Sequence, residues 1–161
     1  MTDIDEKVAQ LLRDSGLTLS LAESCSGGLI AKRITDKPGS SGYFLFGAVT
    51  YSNDSKELIL GVPAELIEKY GAVSSEVALA MAEGVRRVSG SDIAISTTGI
   101  AGPDGGTPEK PVGTVFIAID SPDGGKAFLH HFEGDRNTIR EATVEAALRL
   151  LLSRLSSPLP P

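Results

Sequence analysis

Apolar residues recur three to four positions apart at Ile4, Val8, Leu11 and Leu12, and the pattern stops at Gly16, which predicts an amphipathic opening helix. Leu17 to Ala22 reads as a first strand. Leu29, Ile30 and Ile34, with Lys32 and Arg33 between them, read as a short helix ended by the Lys37-Pro38-Gly39-Ser40-Ser41-Gly42 loop. Phe44 to Val49 forms a second apolar run, which turns polar at Thr50, Tyr51, Ser52, Asn53 and Asp54; a helix capped by Asn53 or Asp54 puts Lys56 in its first turn. Pro63 and Gly71 frame a helix over Ala64 to Tyr70. Ser74 or Ser75 caps a longer one through Val88, with Val77, Met81, Val85 and Val88 on its inner face.

Ile93 to Ser96 reads as a buried strand that runs into a glycine-rich loop, Thr97 to Gly106. Val112 to Asp120 and Lys126 to Phe132 alternate as strands around the hairpin turn Ser121-Pro122-Asp123-Gly124-Gly125. A last helix, capped by Thr138 or Asp135, carries a broad apolar stripe of Ile139, Val144, Ala147, Leu148, Leu151 and Leu155. A stripe this broad hints at self-association. The Pro-rich tail, 158–161, is expected to be disordered. Strands separated by helices early and an antiparallel hairpin late imply an α/β fold: a three-layer α/β/α sandwich with a mixed, mainly parallel sheet, expected to be one domain over 1–157. In such a sheet the polar loops after Ala22, Thr50 and Ser96 should converge where the strands end.

Composition narrows the partners. The 161 residues are 41% hydrophobic with a formal net charge of −6, and no Lys/Arg-rich stretch offers a footprint for nucleic acid. An anionic small ligand needs only a local basic pocket. The single cysteine, Cys25, excludes an intrachain disulfide framework and fits a reducing compartment, and no run approaches the ~20 apolar residues of a membrane span; a cytoplasmic protein without membrane partner is expected. The absence of a His-x-x-x-His, of paired cysteines and of a tight carboxylate cluster gives no reason to expect a metal or other cofactor.

The segment Ala22-Glu23-Ser24-Cys25-Ser26-Gly27-Gly28 places two hydroxyls and a thiol between strand and helix. That is a seat for a nucleophile, with helix-start amides free to face an anion, or simply a helix cap. A serine nucleophile needs a base. His130 and His131 are adjacent on a strand and face opposite ways, whereas Lys56 follows a polar cluster at a strand end. Cys25 is the rival nucleophile or a small buried hydrophobe.

These motifs, with Val49-Thr50-Tyr51-Ser52-Asn53, Gly71-Ala72-Val73-Ser74, Gly99-Ile100-Ala101-Gly102-Pro103-Asp104-Gly105-Gly106, Lys110-Pro111-Val112-Gly113-Thr114-Val115 and Gly134-Asp135-Arg136, closely resemble the C-terminal domain family of the competence/damage-inducible protein CinA. The resemblance runs from about Leu17 to about Leu151. It implies a nicotinamide-nucleotide amidohydrolase, which converts nicotinamide mononucleotide to nicotinic acid mononucleotide and ammonia in pyridine nucleotide recycling. By that resemblance Ser24 is the nucleophile and Lys56 the base, with Tyr51 and Arg140 beside them. Glu23, Cys25, Ser26, Gly27, Gly28, Asn53, Thr98, Gly99, Gly102 and Gly105 are the residues expected around the substrate. The resemblance also favours a homo-oligomer, with a dimer the first expectation. Two other classes share these motifs: a non-catalytic nucleotide- or partner-binding module, and an amidase for another small carboxamide.

Overall fold

The computed structural model describes residues 3–157, so the tail expected to be disordered lies outside the described residues. The chain runs α1 (Asp3–Ser15), β1 (Leu19–Glu23), α2 (Leu29–Thr35), β2 (Phe44–Val49), α3 (Asn53–Leu60), α4 (Ala64–Tyr70), α5 (Ser75–Ser89), β3 (Ile93–Gly99), β4 (Thr114–Ser121), β5 (Gly124–His131) and α6 (Arg136–Ser156). The sheet order is β2-β1-β3-β4-β5. β1 pairs parallel with β2 and β3, and β4 pairs antiparallel with β3 and β5, so only β4 opposes the other four strands.

The pleat divides the core into two layers. Leu19 and Leu21 of β1, Ile93 and Ile95 of β3 and Val115, Ile117 and Ile119 of β4 point to one face, where they meet Val8 and Leu12 of α1, Ile30 and Ile34 of α2 and the stripe of α6. Ala22, Ala94 and Ala118 point to the other, under α3, α4 and α5. Small residues on that second face let α5 lie close. Gly84 of α5 has no room for a Cβ against the Leu60 carbonyl at the end of α3, which seats the two helices tightly against each other.

Several boundaries and faces differ from expectation, each for a local reason. Ser52, not Asn53 or Asp54, caps α3: its Oγ accepts from the Ser55 amide at 3.1 Å. Ser74 and Asp135 are the caps of α5 and α6. Val88 has the phase of the inner face but sits in the last turn of α5, where the chain leaves the sheet to reverse at Gly90, and it is exposed. The hairpin is tighter than the five residues suggested, since Ser121 pairs with Gly124 across Pro122-Asp123. β3 extends through Thr97 and Thr98 to Gly99, carrying polar residues into the sheet. Ile139, Val144, Ala147, Leu148 and Leu151 of α6 are all 0–1% exposed and Leu155 is partly buried, so most of the stripe packs within the chain.

Candidate active site

The loops after β1, β2 and β3 do converge. They enclose a cavity of about 300 Å³ lined by Ser24, Cys25, Tyr51, Asn53, Lys56, Thr98, Gly99, Gly102 and Gly105, with Ala72, Val73, Ile100, Ala101, Asp104 and Arg136 completing the wall. A larger cleft of about 650 Å³ lies at the far end of α5 beside the β4–β5 hairpin, but its Ser91 and Ser121 hydroxyls bond Ser20, Ile93 and Gly124, and its Asp120 is paired with Arg86. Chemistry, not size, selects the first.

Lys56 is the centre of the site. The first turn of α3 turns its side chain under the end of the sheet, where it is 1% exposed. Nζ lies 3.1 Å from Ser24 Oγ, 2.8 Å from the Thr50 carbonyl and 3.3 Å from the Tyr51 carbonyl. All three partners are uncharged. Burial pulls the Lys56 amine below the ordinary lysine range, and the neighbouring Cys25 opposes it more weakly. As an ammonium Nζ donates to all three oxygens; deprotonated, it keeps two N–H bonds for the two carbonyls and turns its lone pair to the Ser24 hydroxyl. The spacing is one that a general base and a hydroxyl nucleophile require.

The turn that presents Ser24 is held from behind. Gly27 and Gly28 adopt φ of +61° and +100°, a reversal that L side chains rarely make, and Gly28 as cap of α2 has no side chain to satisfy the first amides of that helix. Glu23 does so instead. Its buried carboxylate accepts from the Ile30 and Ala31 amides at 2.9 and 3.1 Å and from Ser26 Oγ at 2.7 Å, and Ser26 Oγ in turn lies 2.7 Å from Thr97 Oγ1. Arg140 reaches across from α6 and donates to the Cys25 carbonyl at 3.2 Å and the Ser26 carbonyl at 3.1 Å. Glu23, Ser26, Gly27, Gly28 and Arg140 therefore shape the turn and do not line the cavity. The physical reason is the pleat: Glu23 and Thr97 face α2 and α6, while Ser24 and Thr98 face α3 and α5.

Cys25 lines the cavity but is 5% exposed, and burial pushes its thiol up to about 11, which suits the small buried hydrophobe better than the thiolate. Neither His130 nor His131 lines the cavity; His130 stacks on Phe132 with ring centroids 5.3 Å apart. Thr98 Oγ1 donates to the Ala72 carbonyl at 2.7 Å and ties the β3 end to the loop before α5.

Arg136 was not among the expected site residues. It donates to the Gly102 carbonyl at 2.7 Å and to Tyr51 Oη at 2.9 Å, spanning the cavity from the glycine loop to the exposed Tyr51. A signal was present in the sequence: Arg136 follows the cap Asp135, and a cation in the first helical turn opposes the helix dipole, so it is kept there for another reason. Besides Lys56, Arg136 and Asp104 are the charged side chains of the cavity wall.

Comparison with known proteins agrees with this architecture. A curated CinA-like protein from Geotalea uraniireducens is 60% identical over 154 residues, covering 96% of this chain but 37% of its own length. The chain thus spans little more than a third of the curated relatives it matches. Among solved structures, the competence/damage inducible protein CihA from Agrobacterium tumefaciens superposes with a TM-score of 0.91 at 42% identity, with 98% of both chains covered. The competence damage-inducible protein A (ComA) from Klebsiella pneumoniae gives a TM-score of 0.94 at 32% identity, again over 98% of both. The profile of the CinA C-terminal domain matches residues 1–155, and the chain belongs to that family.

Proposed function

We propose that the chain hydrolyses the carboxamide of nicotinamide mononucleotide to nicotinic acid mononucleotide and ammonia through a Ser24–Lys56 dyad. The observation that carries this reading is the buried amine of Lys56, 3.1 Å from Ser24 Oγ with only carbonyls as its other partners. Lys56 takes the Ser24 proton as Oγ attacks the carboxamide carbon, then returns it to the departing nitrogen, so that ammonia leaves and an acyl-enzyme remains. Water, activated by the same amine, completes the turnover. The Ser24 amide is committed to the Thr97 carbonyl and the Gly27 amide to the Ser24 carbonyl, whereas the amides of Cys25 and Ser26 donate to no carbonyl among the described residues. The reading assigns those two to the developing oxyanion, where one donor is typically worth about 2.7–4 kcal/mol.

The far end of the substrate is assigned to Arg136 and the glycine loop. A guanidinium that rests on a carbonyl and a phenol can exchange both for a phosphate, a stronger charge-assisted pairing. The test is ammonia release from nicotinamide mononucleotide, nicotinamide riboside and free nicotinamide in parallel. The reading expects the efficiency to fall as the phosphate and then the ribose are removed; equal use of free nicotinamide contradicts it.

A further inference from the structure

Thr50 Oγ1 is buried without a hydrogen-bond partner among the described residues, in a side chain 1% exposed. A hydroxyl left in that state costs roughly 1–3 kcal/mol, and its retention asks for a reason. The strand register supplies its surroundings. β1 and β2 pair Ala22 with Ala48 and Glu23 with Val49, and the ladder continues one step, with the Thr50 amide donating to the Glu23 carbonyl at 3.0 Å. Ser24 and Thr50 are therefore neighbours, and the pleat returns both to the face occupied by Ala22 and Ala48, under α3. On the other side β3 pairs Thr97 with Glu23, which brings Thr98 to the same row. The register thus puts Ser24, Thr50 and Thr98 in one row across the end of the sheet, with Lys56 on Ser24. Thr98 is committed to the Ala72 carbonyl and Ser24 to Lys56, while Thr50 is committed to nothing. Thr50 is absent from the cavity wall, so it does not reach a bound substrate, yet its own carbonyl already holds Nζ at 2.8 Å.

We infer that Thr50 is a positioning residue for the dyad: its hydroxyl oxygen is the acceptor to which the Lys56 ammonium turns after taking the Ser24 proton. The inference rests on the Ser24–Lys56 reading above. When the Oγ–H bond breaks and the proton moves to Nζ, the ammonium has three N–H bonds, one of which must be left for the departing nitrogen. Charge-assisted bonds of an ammonium run at about 2.7–2.9 Å. The Thr50 carbonyl meets that length, and the Tyr51 carbonyl, at 3.3 Å on an exposed residue, does not. The Thr50 hydroxyl is buried and unpartnered in the resting structure, and the inference makes it the acceptor that Nζ gains by turning once it is protonated. No proton is gained or lost by Thr50 itself.

The experiment compares the full-length wild type with Thr50→Val, which keeps the shape and removes the hydroxyl, and Thr50→Ser, which restores it. Initial rates of ammonia release from nicotinamide mononucleotide are measured across pH. Cys25, Tyr51, Asp104 and Arg136 on the cavity wall and Asp54 and Glu57 on the helix of Lys56 are common to all three proteins, so a shift between them reports on the lysine. Thr50→Val is expected to lower kcat roughly ten- to a hundred-fold, as for a lost hydrogen bond to a charged group, with KM within a factor of about two. The acidic limb of its profile should move to lower pH, because losing an acceptor disfavours the charged amine. Thr50→Ser should restore both. Should the valine variant not fold, Thr50→Ala is read for the same two quantities. A wild type that is active through Ser24 beside a Thr50→Val with unchanged kcat and limb overturns the inference and leaves the dyad standing; a wild type with no Ser24-dependent release removes both.

Discussion

Replacing Lys56 with methionine keeps the four-atom stem in place and deletes the amine, and the result is a pH-dependent difference in stability. In the unfolded chain a lysine titrates near its ordinary value of about 10.4, whereas burial lowers it in the folded protein. Between those two values the unfolded chain binds one proton more than the folded one, so the stability of the wild type rises with pH, by about 1.4 kcal/mol per unit. Below the folded value both states are protonated and the slope vanishes. Lys56→Met has no such proton. The difference between wild type and variant should therefore climb by about 1.4 kcal/mol for each pH unit inside that window. The variant also strips the Thr50 and Tyr51 carbonyls of a donor, at roughly 1–3 kcal/mol per buried group, but that cost does not depend on pH and sets the offset rather than the slope. Urea unfolding followed by far-ultraviolet circular dichroism, repeated from neutral pH to pH 10, measures both. Groups that titrate in both proteins cancel in the difference. Parallel stability curves, differing only by a constant, would mean that Lys56 is charged in the folded state, and a charged lysine cannot take the proton of Ser24.

Arg136→Ala should raise KM for nicotinamide mononucleotide roughly ten- to a hundred-fold, with kcat little changed and with no effect on nicotinamide riboside, which has no phosphate; steady-state kinetics on both substrates checks it. Gly84→Ala should destabilise by about 1–3 kcal/mol although alanine is the better helix former, because its Cβ collides with the Leu60 carbonyl; the urea midpoint reads this. Cys25, with its thiol near 11, is about one part in a thousand thiolate at pH 8, so a thiol reagent should label it slowly in the native protein and at once in urea.

Most of the layer architecture was legible in the sequence, and most of the site's interior was not. Period-3.6 and period-2 patterns locate α1, α5, α6 and the strands because one face of each is buried, and burial is what hydrophobicity records. Val88 defeats that logic, since phase says where a side chain points and not whether anything lies there. The polar residues Ser24, Thr50 and Thr98 mark strand ends, but whether a hydroxyl faces the cavity or the opposite helices follows from register, which the sequence does not state. This is why Glu23 and Ser26, next to the nucleophile in the chain, prove to be supports for α2 while Arg136, more than a hundred positions away, lines the wall. The lowered pKa of Lys56 is equally a property of the fold, because burial supplies it.

The most direct measurement is ammonia release from nicotinamide mononucleotide by the wild type, Ser24→Ala and Cys25→Ala side by side. The account predicts a wild type that turns over, a Cys25→Ala that retains most of the rate, and a Ser24→Ala reduced by roughly a thousandfold or more while still folded. A Ser24→Ala protein that releases ammonia at the wild-type rate, or a wild type that binds the nucleotide without hydrolysing it, contradicts the dyad.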